Sequence, residues 1–272
     1  MFRRGAHSRR GGELPILTYH SLDDSGSVLS VPPGVFADQM RLLHEADIRT
    51  ISLPAAVHAL RGGQVPAGTV VLTFDDGFEN FYEHGYPVLR RYGLTATIFL
   101  VTDYCGKDNS WPGQPAHVAR RPLLSWAQVK TMSEAGMVFG AHSRTHPDLT
   151  RLSSGGAESE IVASKRAIEQ ILKRPVESFA YPYGAYDERV KRLTAAHFSL
   201  ACSTRLDFVT PGSDLLALER VDMYYLRHRR LFQRLLSGDA RAYIRSRRLA
   251  REVRAMLVSR FDRRRGPMGS GV

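Results

Sequence analysis

Two adjacent carboxylates are the residues of this chain best placed to do chemistry. Asp75 and Asp76 follow a run of β-branched and apolar residues, 70–74, which predicts a buried strand that ends at the carboxylates. The turn at a strand's end can bring two consecutive side chains to one rim of a sheet. Two carboxylates this close repel each other, so a packed structure needs a cation or a proton between them. Taken alone, the Asp-Asp-Gly sequence is equally compatible with a surface turn.

A pair of histidines downstream could supply the other ligands of such a cation. His142 and His146 follow a second apolar run, 137–141, and lie four residues apart, so one helical turn would put them on the same side. One carboxylate and two imidazoles make a facial metal triad that leaves positions open for water and substrate. Without a metal, the two histidines would be ordinary loop residues.

A third segment completes a recognisable set. The sequences TFDDG at 73–77, HSRTHP at 142–147 and YPYG at 181–184 each end an apolar run and occur in this order. Together they resemble the first three motifs of the NodB-homology polysaccharide deacetylases, carbohydrate esterase family 4. The resemblance covers roughly residues 14–225. It implies a distorted (β/α) barrel.

The resemblance also implies roles for individual residues. Asp76, His142 and His146 would hold a divalent metal ion, with zinc as the first candidate. Asp75 would be the general base that takes a proton from water, and Tyr183 would donate its backbone N–H to the developing oxyanion. A divalent ion acidifies bound water and polarises an acyl oxygen, so this set of roles is chemically coherent.

The sequence departs from the family pattern in two places. An arginine that usually orients the base is replaced by Ala180, and either Arg220 or Asp222 could take over its part. The usual histidine acid of the fifth motif is not recognisable, and His228 is a weak candidate because it opens an arginine-rich segment. His20 is the better one: its Tyr-His-Ser context resembles a subgroup that acts on poly-N-acetylglucosamine-like chains. It would either line the cleft or be an ordinary strand-end histidine.

Strands and helices alternate along the chain at a rhythm typical of a parallel sheet. About seven repeats favour a barrel over an open sheet, and every chemical motif follows a predicted strand, where barrel enzymes build their sites. Trp111, in the long polar loop 102–124, would either stack on a sugar ring or pack that loop onto the barrel. The predicted strands are 15–20, 50–52, 70–74, 95–101, 137–141, 178–183 and 200–204, and the predicted helices are 36–43, 53–60, 81–92, 125–136, 157–173 and 187–197.

The positive charge of the chain lies at one end. Residues 227–272 contain 14 Arg, no Lys and 3 acids, whereas the rest has 24 basic and 24 acidic residues. An apolar stripe runs through this segment, and Gly238 is expected to divide it into two helices, with 260–272 disordered. The basic helices could contact an anionic membrane through 227–265, or the stripe could pack on the barrel. Specific nucleic-acid binding is not expected, because interleaved aromatic residues are missing.

These features give an expected domain order and location. We expect a flexible N-terminus at 1–13, the deacetylase barrel at 14–225 and a basic helical extension with a disordered tail at 226–272. No apolar run follows the arginines of the first twelve residues, so we expect no signal peptide, and no stretch is long enough to span a membrane. A cytoplasmic location follows, with peripheral contact at the inner face of the membrane as the alternative. Two cysteines are too few for a disulfide framework.

The resemblance implies a metal-dependent hydrolase that removes N-acetyl groups from N-acetylglucosamine units of an oligo- or polysaccharide. Two alternatives remain open. The same site could cleave another amide or an O-acetyl ester. The chain could also be a carbohydrate-binding barrel without turnover, since the orienting arginine and the fifth motif are missing from their usual places.

Overall fold

A closed ring of seven parallel strands forms the centre of the computed structural model, which describes residues 12–62, 67–115 and 118–264. Its ring order is β1-β10-β9-β8-β7-β6-β5, and β5 pairs back with β1. The predicted distorted barrel is therefore confirmed. The strands are β1 (Ile16–Tyr19), β2 (Ser21–Leu22), β3 (Ser30–Val31), β4 (Arg49–Thr50), β5 (Thr69–Phe74), β6 (Thr97–Leu100), β7 (Val138–Ala141), β8 (Ser178–Ala180), β9 (Leu200–Leu206) and β10 (Leu218–Asp222).

Strand β1 closes the ring, because it pairs with β5 on one side and with β10 on the other. Leu17 lies opposite Leu72 of β5 and opposite Val221 of β10. The predicted strand at 50–52 is β4, which pairs with β5 outside the ring. The seventh ring strand is β10, which was not predicted. Three of its five residues are charged, so it lacks the apolar run by which buried strands are recognised.

Eight α-helices accompany the strands in the described residues. Helix α4 begins as expected, at a capping box in which Ser125 and Gln128 exchange hydrogen bonds. Helix α5 begins three residues earlier than predicted, because Ser153 caps its first turn. The predicted helix at 81–92 is a π-helical turn (Phe81–Gly85) that continues into α3. The helices are α1 (Pro33–Glu45), α2 (Leu53–Arg61), α3 (Tyr86–Tyr92), α4 (Trp126–Glu134), α5 (Ser154–Leu172), α6 (Glu188–Ala195), α7 (Arg229–Leu236) and α8 (Arg241–Arg264).

Alternate strand residues enter two different hydrophobic clusters. Ile16 and Val71 belong to a cluster whose only helix is α2, whereas their neighbours Leu17 and Leu72 pack in a larger cluster with the other helices. Successive strand residues point to opposite faces, so the first cluster fills the barrel and the second lies between strands and helices. The seven strands are thus fixed from both faces, which gives the residues at their ends a rigid base.

The arginine-rich segment forms two helices, as predicted, and Gly238 lies between them with a left-handed φ of 83°. Phe232 of α7 and Ile244 of α8 are fully buried in the larger cluster. Farther along α8, Leu249 and Val253 are 57% and 55% exposed. The apolar stripe therefore packs on the barrel in its first half and faces solvent in its second half.

Some expectations concern the chain ends. Disorder was expected for 260–272, but α8 continues to Arg264, and 265–272 lie outside the described residues. The flexible N-terminus expected at 1–13 lies outside them as well, apart from its last two residues. In the part of the chain that is described, no helix combines the length and apolarity needed to cross a membrane.

Candidate metal centre and active site

One cleft at the carboxyl ends of the barrel strands collects the residues singled out in the sequence. It has a volume of about 290 Å³ and reaches from β1 past β5 and β7 to β10. Such convergence follows from the topology, because parallel strands present their carboxyl ends at the same rim. The cleft is lined by His20, Asp75, Asp76, His142, His146, Tyr183 and Arg220, among others.

Three of these residues form a compact buried triad. Nε2 of His142 lies 3.4 Å from Oδ1 of Asp76, and Nε2 of His146 lies 3.5 Å from the same oxygen. The two imidazole nitrogens are 3.2 Å apart. Four-coordinate zinc, with ligands about 2.0–2.1 Å away, needs neighbouring ligand atoms about 3.3 Å apart. The triad fits a metal ion of this size.

His142, which directly follows β7, is oriented by a hydrogen bond to a group outside the triad. Nδ1 of His142 lies 2.7 Å from the carbonyl oxygen of Ala180. A carbonyl can only accept, so Nδ1 carries the proton and Nε2 presents its lone pair to the triad, the arrangement typical of histidine metal ligands. Ala180, which stands where the family has an arginine, thus orients His142 through its backbone carbonyl.

The electrostatics of the triad also suit a cation. Burial and the neighbouring His142 lower the pKa of His146 to about 3, so its ring is neutral at physiological pH. Burial alone would raise the pKa of Asp76, but the hydrogen bond with His142 and the electrostatic influence of the surrounding histidines lower it overall. A neutral imidazole and an ionised carboxylate are the protonation states that metal binding requires.

The two histidines share one side of a loop, and not of a helical turn as the spacing suggested. The residues between β7 and the short helix Leu149–Arg151 are non-helical. Four of the six non-glycine residues with left-handed backbone in the described chain belong to this site: Asp76 (φ 69°), Ser143 (63°), His146 (60°) and Tyr183 (58°). Such conformations cost about 1–3 kcal/mol each and persist only where surrounding contacts hold them.

A buried glutamate supplies those contacts for the histidine loop. Oε2 of Glu160, on α5, accepts the backbone N–H groups of Arg144 and Thr145 at 2.9 and 2.8 Å, and Oε1 accepts the Thr145 hydroxyl at 2.9 Å. The Ser143 hydroxyl accepts the N–H of His146 at 2.9 Å. The loop is therefore fixed between His142 and His146. Sequence reasoning missed Glu160, which looks like any other acid on a solvated helix.

The other carboxylate of the pair is clamped by an arginine. Arg220 of β10 donates two hydrogen bonds to Asp75, from Nη1 to Oδ1 at 2.7 Å and from Nη2 to Oδ2 at 2.6 Å, and its Nε donates to the Ser203 carbonyl. Both side chains are at most 3% exposed. Burial would raise the pKa of Asp75, but the charge and hydrogen bonds of Arg220 hold it well below its ordinary range. Of the two replacements considered for the missing family arginine, Arg220 is the one that touches the carboxylate.

His20, at the end of β1, stands next to this pair. Its Nε2 lies 3.8 Å from Oδ2 of Asp75, and its side chain is 19% exposed to the cleft. The structure therefore brings His20 to the cleft, the first of the two alternatives considered. His228, the weaker candidate, is exposed at the start of α7 and is absent from the cleft lining.

Tyr183 occupies a tight turn after β8. The turn's hydrogen bonds are donated by Gly184 to Tyr181 at 2.8 Å and by Ala185 to Pro182 at 3.0 Å, and neither uses the N–H of Tyr183. Its ring packs on the ring of His146, with centroids 4.5 Å apart. The Tyr183 side chain is 45% exposed in the cleft.

Trp111 supports the metal site from the long loop 102–124. It is 2% exposed and packs in a small cluster with Phe78, Val101 and Leu123. Its ring lies over the ring of His146, with centroids 4.5 Å apart. The packing alternative is therefore the one observed, and little of the indole is accessible to a sugar.

Comparison with known proteins agrees with this geometry. The family model for polysaccharide deacetylases matches residues 62–198. YxkH of Bacillus subtilis, whose name describes a polysaccharide deacetylase, is 30% identical over 216 residues, which are 79% of this chain and 72% of that protein. The chain belongs to the polysaccharide deacetylase family. The family resemblance inferred from the three motifs is thereby confirmed.

Other deacetylases are similar over most of this family member. A Staphylococcus aureus poly-β-1,6-N-acetyl-D-glucosamine N-deacetylase is 26% identical over 204 residues, 71% of this chain and 67% of that protein. The structure of the Streptococcus pyogenes deacetylase PplD, in complex with acetate, superposes with a TM-score of 0.69 at 28% identity, covering 77% of this chain and 92% of PplD. IcaB from Ammonifex degensii has the same fold, with a TM-score of 0.69 over 85% of this chain and 98% of IcaB at 24% identity.

Proposed function

We propose that this chain is a metal-dependent hydrolase that removes N-acetyl groups from N-acetylglucosamine units of an oligo- or polysaccharide. The observation that carries the proposal is the joint presence, in one cleft, of the buried Asp76, His142 and His146 triad and the clamped Asp75 beside it. A metal-ligand set next to an ionised carboxylate is the constellation that hydrolysis of an amide by water requires.

Asp76, His142 and His146 would hold the metal, for which zinc is the first candidate because one carboxylate and two imidazoles suit it. When bound, a divalent ion lowers the pKa of a water molecule and polarises the acyl oxygen. The chain's own part is to hold the two imidazoles and the carboxylate in position around the ion. The hydrogen bond from His142 to Ala180 and the contacts of Glu160 serve that purpose.

Asp75 would accept the proton of the attacking water. Because Arg220 keeps the pKa of Asp75 low, this base is ionised over the whole neutral range. The two-pronged hydrogen bond also fixes the carboxylate plane, which removes the need to orient the base during the reaction. Each carboxylate oxygen has two lone-pair directions, so the bonds to Arg220 leave one on each oxygen for the water's proton.

His20 would give a proton to the leaving amine. It lies 3.8 Å from Asp75, so a proton taken up at the carboxylate has a short route to the imidazole and then to the nitrogen. The N–H of Tyr183, which the turn itself does not use, would stabilise the developing oxyanion. With these assignments, every atom that changes charge in amide hydrolysis has a partner in the chain.

The choice of N-acetylglucosamine rests on two kinds of support. The Staphylococcus aureus relative is named for deacetylation of poly-β-1,6-N-acetyl-D-glucosamine. The Tyr-His-Ser sequence around His20 resembles a subgroup that acts on chains of this kind. An amide and an acetyl ester pass through similar tetrahedral intermediates, so the site's chemistry alone does not choose between N- and O-deacetylation.

The proposal is tested by acetate release and metal content measured on the same preparation. Oligomers of β-1,6- and β-1,4-linked N-acetylglucosamine and an O-acetylated oligosaccharide would be compared, with metal per chain measured by elemental analysis. We expect about one divalent ion per chain and acetate from the N-acetylated oligomers, abolished by chelation and restored by metal. A His20→Ala variant should keep its metal and lose turnover, whereas His228→Ala, an exposed histidine outside the cleft, should keep both.

Each failure of this experiment has a distinct meaning. Acetate from the O-acetylated substrate alone would replace the proposal by the ester hydrolase. Metal binding without acetate from any substrate, but with retained glycan binding, would indicate a carbohydrate-binding barrel. A wild-type rate in His20→Ala would remove that residue from the catalytic group.

A further inference from the structure

An arginine of the C-terminal helix reaches the cleft from outside the part of the chain that the family model matches. Arg251 of α8 is half-buried and lines the same cleft as His20, Asp75 and Asp222. The family model matches residues 62–198, so Arg251 lies beyond the matched part of the chain.

Helix α8 is fixed on the barrel by contacts in the two turns that precede Arg251. Ile244 is fully buried, and the Tyr243 hydroxyl donates to the Tyr225 carbonyl at 3.1 Å. Arg248, one turn before Arg251, forms an ion pair with Asp207, which follows β9. The position of Arg251 at the cleft is therefore set by the packing of α8 and by an ion pair on the same helix. Its side chain projects from a helix that is fixed on the barrel.

The guanidinium of Arg251 has no contact partner of its own in the described residues, unlike its neighbours. Arg220 is paired with Asp75, Arg248 with Asp207, and Arg247 lies 4.9 Å over the ring of Tyr225. Within the described residues, no ion pair of 4.0 Å or less and no hydrogen bond joins Arg251 to another group. The donors of this guanidinium make no hydrogen bond to the described residues, and a guanidinium at the wall of a cleft favours a ligand with negatively charged oxygens.

One carboxylate of the cleft, that of Asp222, interacts with Arg251 electrostatically, but no ion pair of 4.0 Å or less joins the two in the described residues. The Asp222 carboxylate instead accepts the Tyr224 N–H at 3.0 Å. One further side chain of the cleft lining, Gln114, has a buried N–H donor without a hydrogen-bond partner in the described structure. The free polar groups of the cleft thus include donors beyond those of the metal site.

We propose that Arg251 makes this cleft a binding site for an anionic group, a carboxylate or a phosphate, on the sugar next to the one that is deacetylated. The substrate is then an acidic N-acetylated glycan, and Arg251 is a specificity-determining residue. This inference rests on the proposed deacetylation. A neutral glycan would offer the guanidinium no charge-assisted hydrogen bond, whereas an anionic substituent would form such bonds with it.

The test separates binding preference from turnover. Three oligosaccharides of equal length would be compared: a neutral N-acetylglucosamine oligomer, one that alternates N-acetylglucosamine with a uronic acid, and one whose N-acetylhexosamines are joined by phosphodiesters. Acetate release would give kcat/KM for each. Calorimetric titration of the metal-loaded protein with analogues that carry methylsulfonamides in place of acetamides would give affinities without hydrolysis.

We expect the wild-type protein to prefer at least one anionic analogue, with a preference that weakens as salt is added. Arg251→Gln should reduce that preference about tenfold, in proportion to the loss of a charge-assisted hydrogen bond. Arg251→Lys should retain part of it. The matched control is Arg254→Gln, which removes the same charge from an exposed position of the same helix and should leave the preference unchanged.

The identity of the favoured analogue shows whether the anion is a carboxylate or a phosphate. Equal affinity of the wild-type protein for neutral and anionic analogues would overturn the inference, and so would an equal loss in Arg251→Gln and Arg254→Gln. A clear binding preference without acetate from any of the three substrates would uphold the anion site and count against the deacetylation itself.

Discussion

Arg220 and Asp75 form a buried, two-pronged ion pair that joins the last strand of the barrel ring to be synthesised to the end of the second, and both side chains are at most 3% exposed. Such a pair strongly constrains what substitutions can do. Removing either partner leaves a charge in a low-dielectric site, which costs far more than the loss of a surface ion pair.

Replacing Arg220 by methionine should therefore change the pH dependence of the reaction. Without the guanidinium, burial dominates and raises the pKa of Asp75, so the acidic limb of the kcat/KM profile should move to higher pH. Turnover at neutral pH should fall by about 10²-fold, because the base also loses its fixed orientation. Acetate release across the acidic and neutral range, with metal content measured in parallel, checks both effects.

Arg220→Lys is the control for this prediction, because it keeps the charge and loses the planar fork. We expect a smaller shift of the acidic limb and an intermediate rate. An unchanged profile and rate in the methionine variant would remove Arg220 from the site.

Asp75→Asn should lose about 10²–10⁴ in rate, because an amide cannot take up the water's proton. From the sequence alone this variant is expected to fold normally, but the structure changes that expectation. An unpaired, buried Arg220 should reduce the free energy of unfolding by about 3–5 kcal/mol. Urea denaturation and acetate release on the same preparation measure the two effects.

The double variant Asp75→Asn with Arg220→Met separates the roles. It should recover much of the lost stability, since no buried charge remains, and recover none of the activity. Equal stability of Asp75→Asn and the wild type would contradict the structural role of the ion pair. Full activity of Asp75→Asn would contradict the proposed mechanism.

Asp76→Asn should weaken metal binding more than it weakens folding. An amide oxygen is a neutral and poorer ligand, so the metal affinity should fall by more than the roughly 10–100-fold typical of substitutions around a metal site. Excess metal should restore part of the acetate release in Asp76→Asn and none in Asp75→Asn. Equal metal loss in the two variants would refute the division of labour between these neighbouring carboxylates.

Glu160→Ala should lower metal affinity by about 10–100-fold without touching a ligand, because it frees the loop that carries His142 and His146. Glu160→Gln keeps one oxygen for the two backbone N–H groups and should recover most of that loss. The cobalt-substituted protein provides the readout, since its visible absorption reports ligand geometry. Glu158→Ala, an exposed position on the same helix, is the control. Identical cobalt spectra and affinities in Glu160→Ala and Glu158→Ala would show that the loop is fixed by other contacts.

Cutting the chain after residue 226 should unfold the protein. The cut removes Phe232, Leu235 and Ile244, all buried against the barrel, and burial of such side chains contributes about 1.5–3 kcal/mol each. That sum is a large part of the about 5–15 kcal/mol by which a domain is stable. A cut after residue 252, which removes the exposed Val253 and keeps the buried residues, should leave the protein folded.

The two truncations also test the proposed membrane contact. If α8 contacts anionic membranes, vesicle binding should depend on its exposed second half and disappear with the cut after residue 252, while acetate release persists. A soluble, active protein cut after residue 226 would show that α7 is dispensable for the core. The cytoplasmic location stays a prediction.

The sequence predicted the barrel and the residues of the cleft for one physical reason. Residues that follow apolar strands in a parallel barrel must meet at one rim, so Asp76 and His142 could be brought together without a structure. The missed elements lack that signal. Strand β10 is interrupted by the charges that the site needs, among them Arg220, and its pairing with β1 is visible only in three dimensions.

Contacts between distant parts of the chain account for the other misses. Glu160 and Arg251 lie on helices, where an acid or an arginine is ordinary, and only the packing of α5 and α8 directs them to the site. The helical spacing of His142 and His146 correctly predicted that the two side chains are neighbours. The predicted helical turn was wrong, because a loop with left-handed backbone brings them together. Helical periodicity in the tail was correctly identified, but it could not show where burial ends.

The order of synthesis gives the site a built-in sequence of assembly. The residues of the triad lie between 76 and 146, after β5 and β7, which are separated in the ring only by β6. Arg220 follows Asp75 by 145 residues and lies on β10, the last strand of the ring to be synthesised. A nascent chain can thus bring the three triad residues together before the ribosome has made Arg220. On the proposed mechanism, the site would become active only once β10 completes the ring, even if the chain had bound its ion earlier.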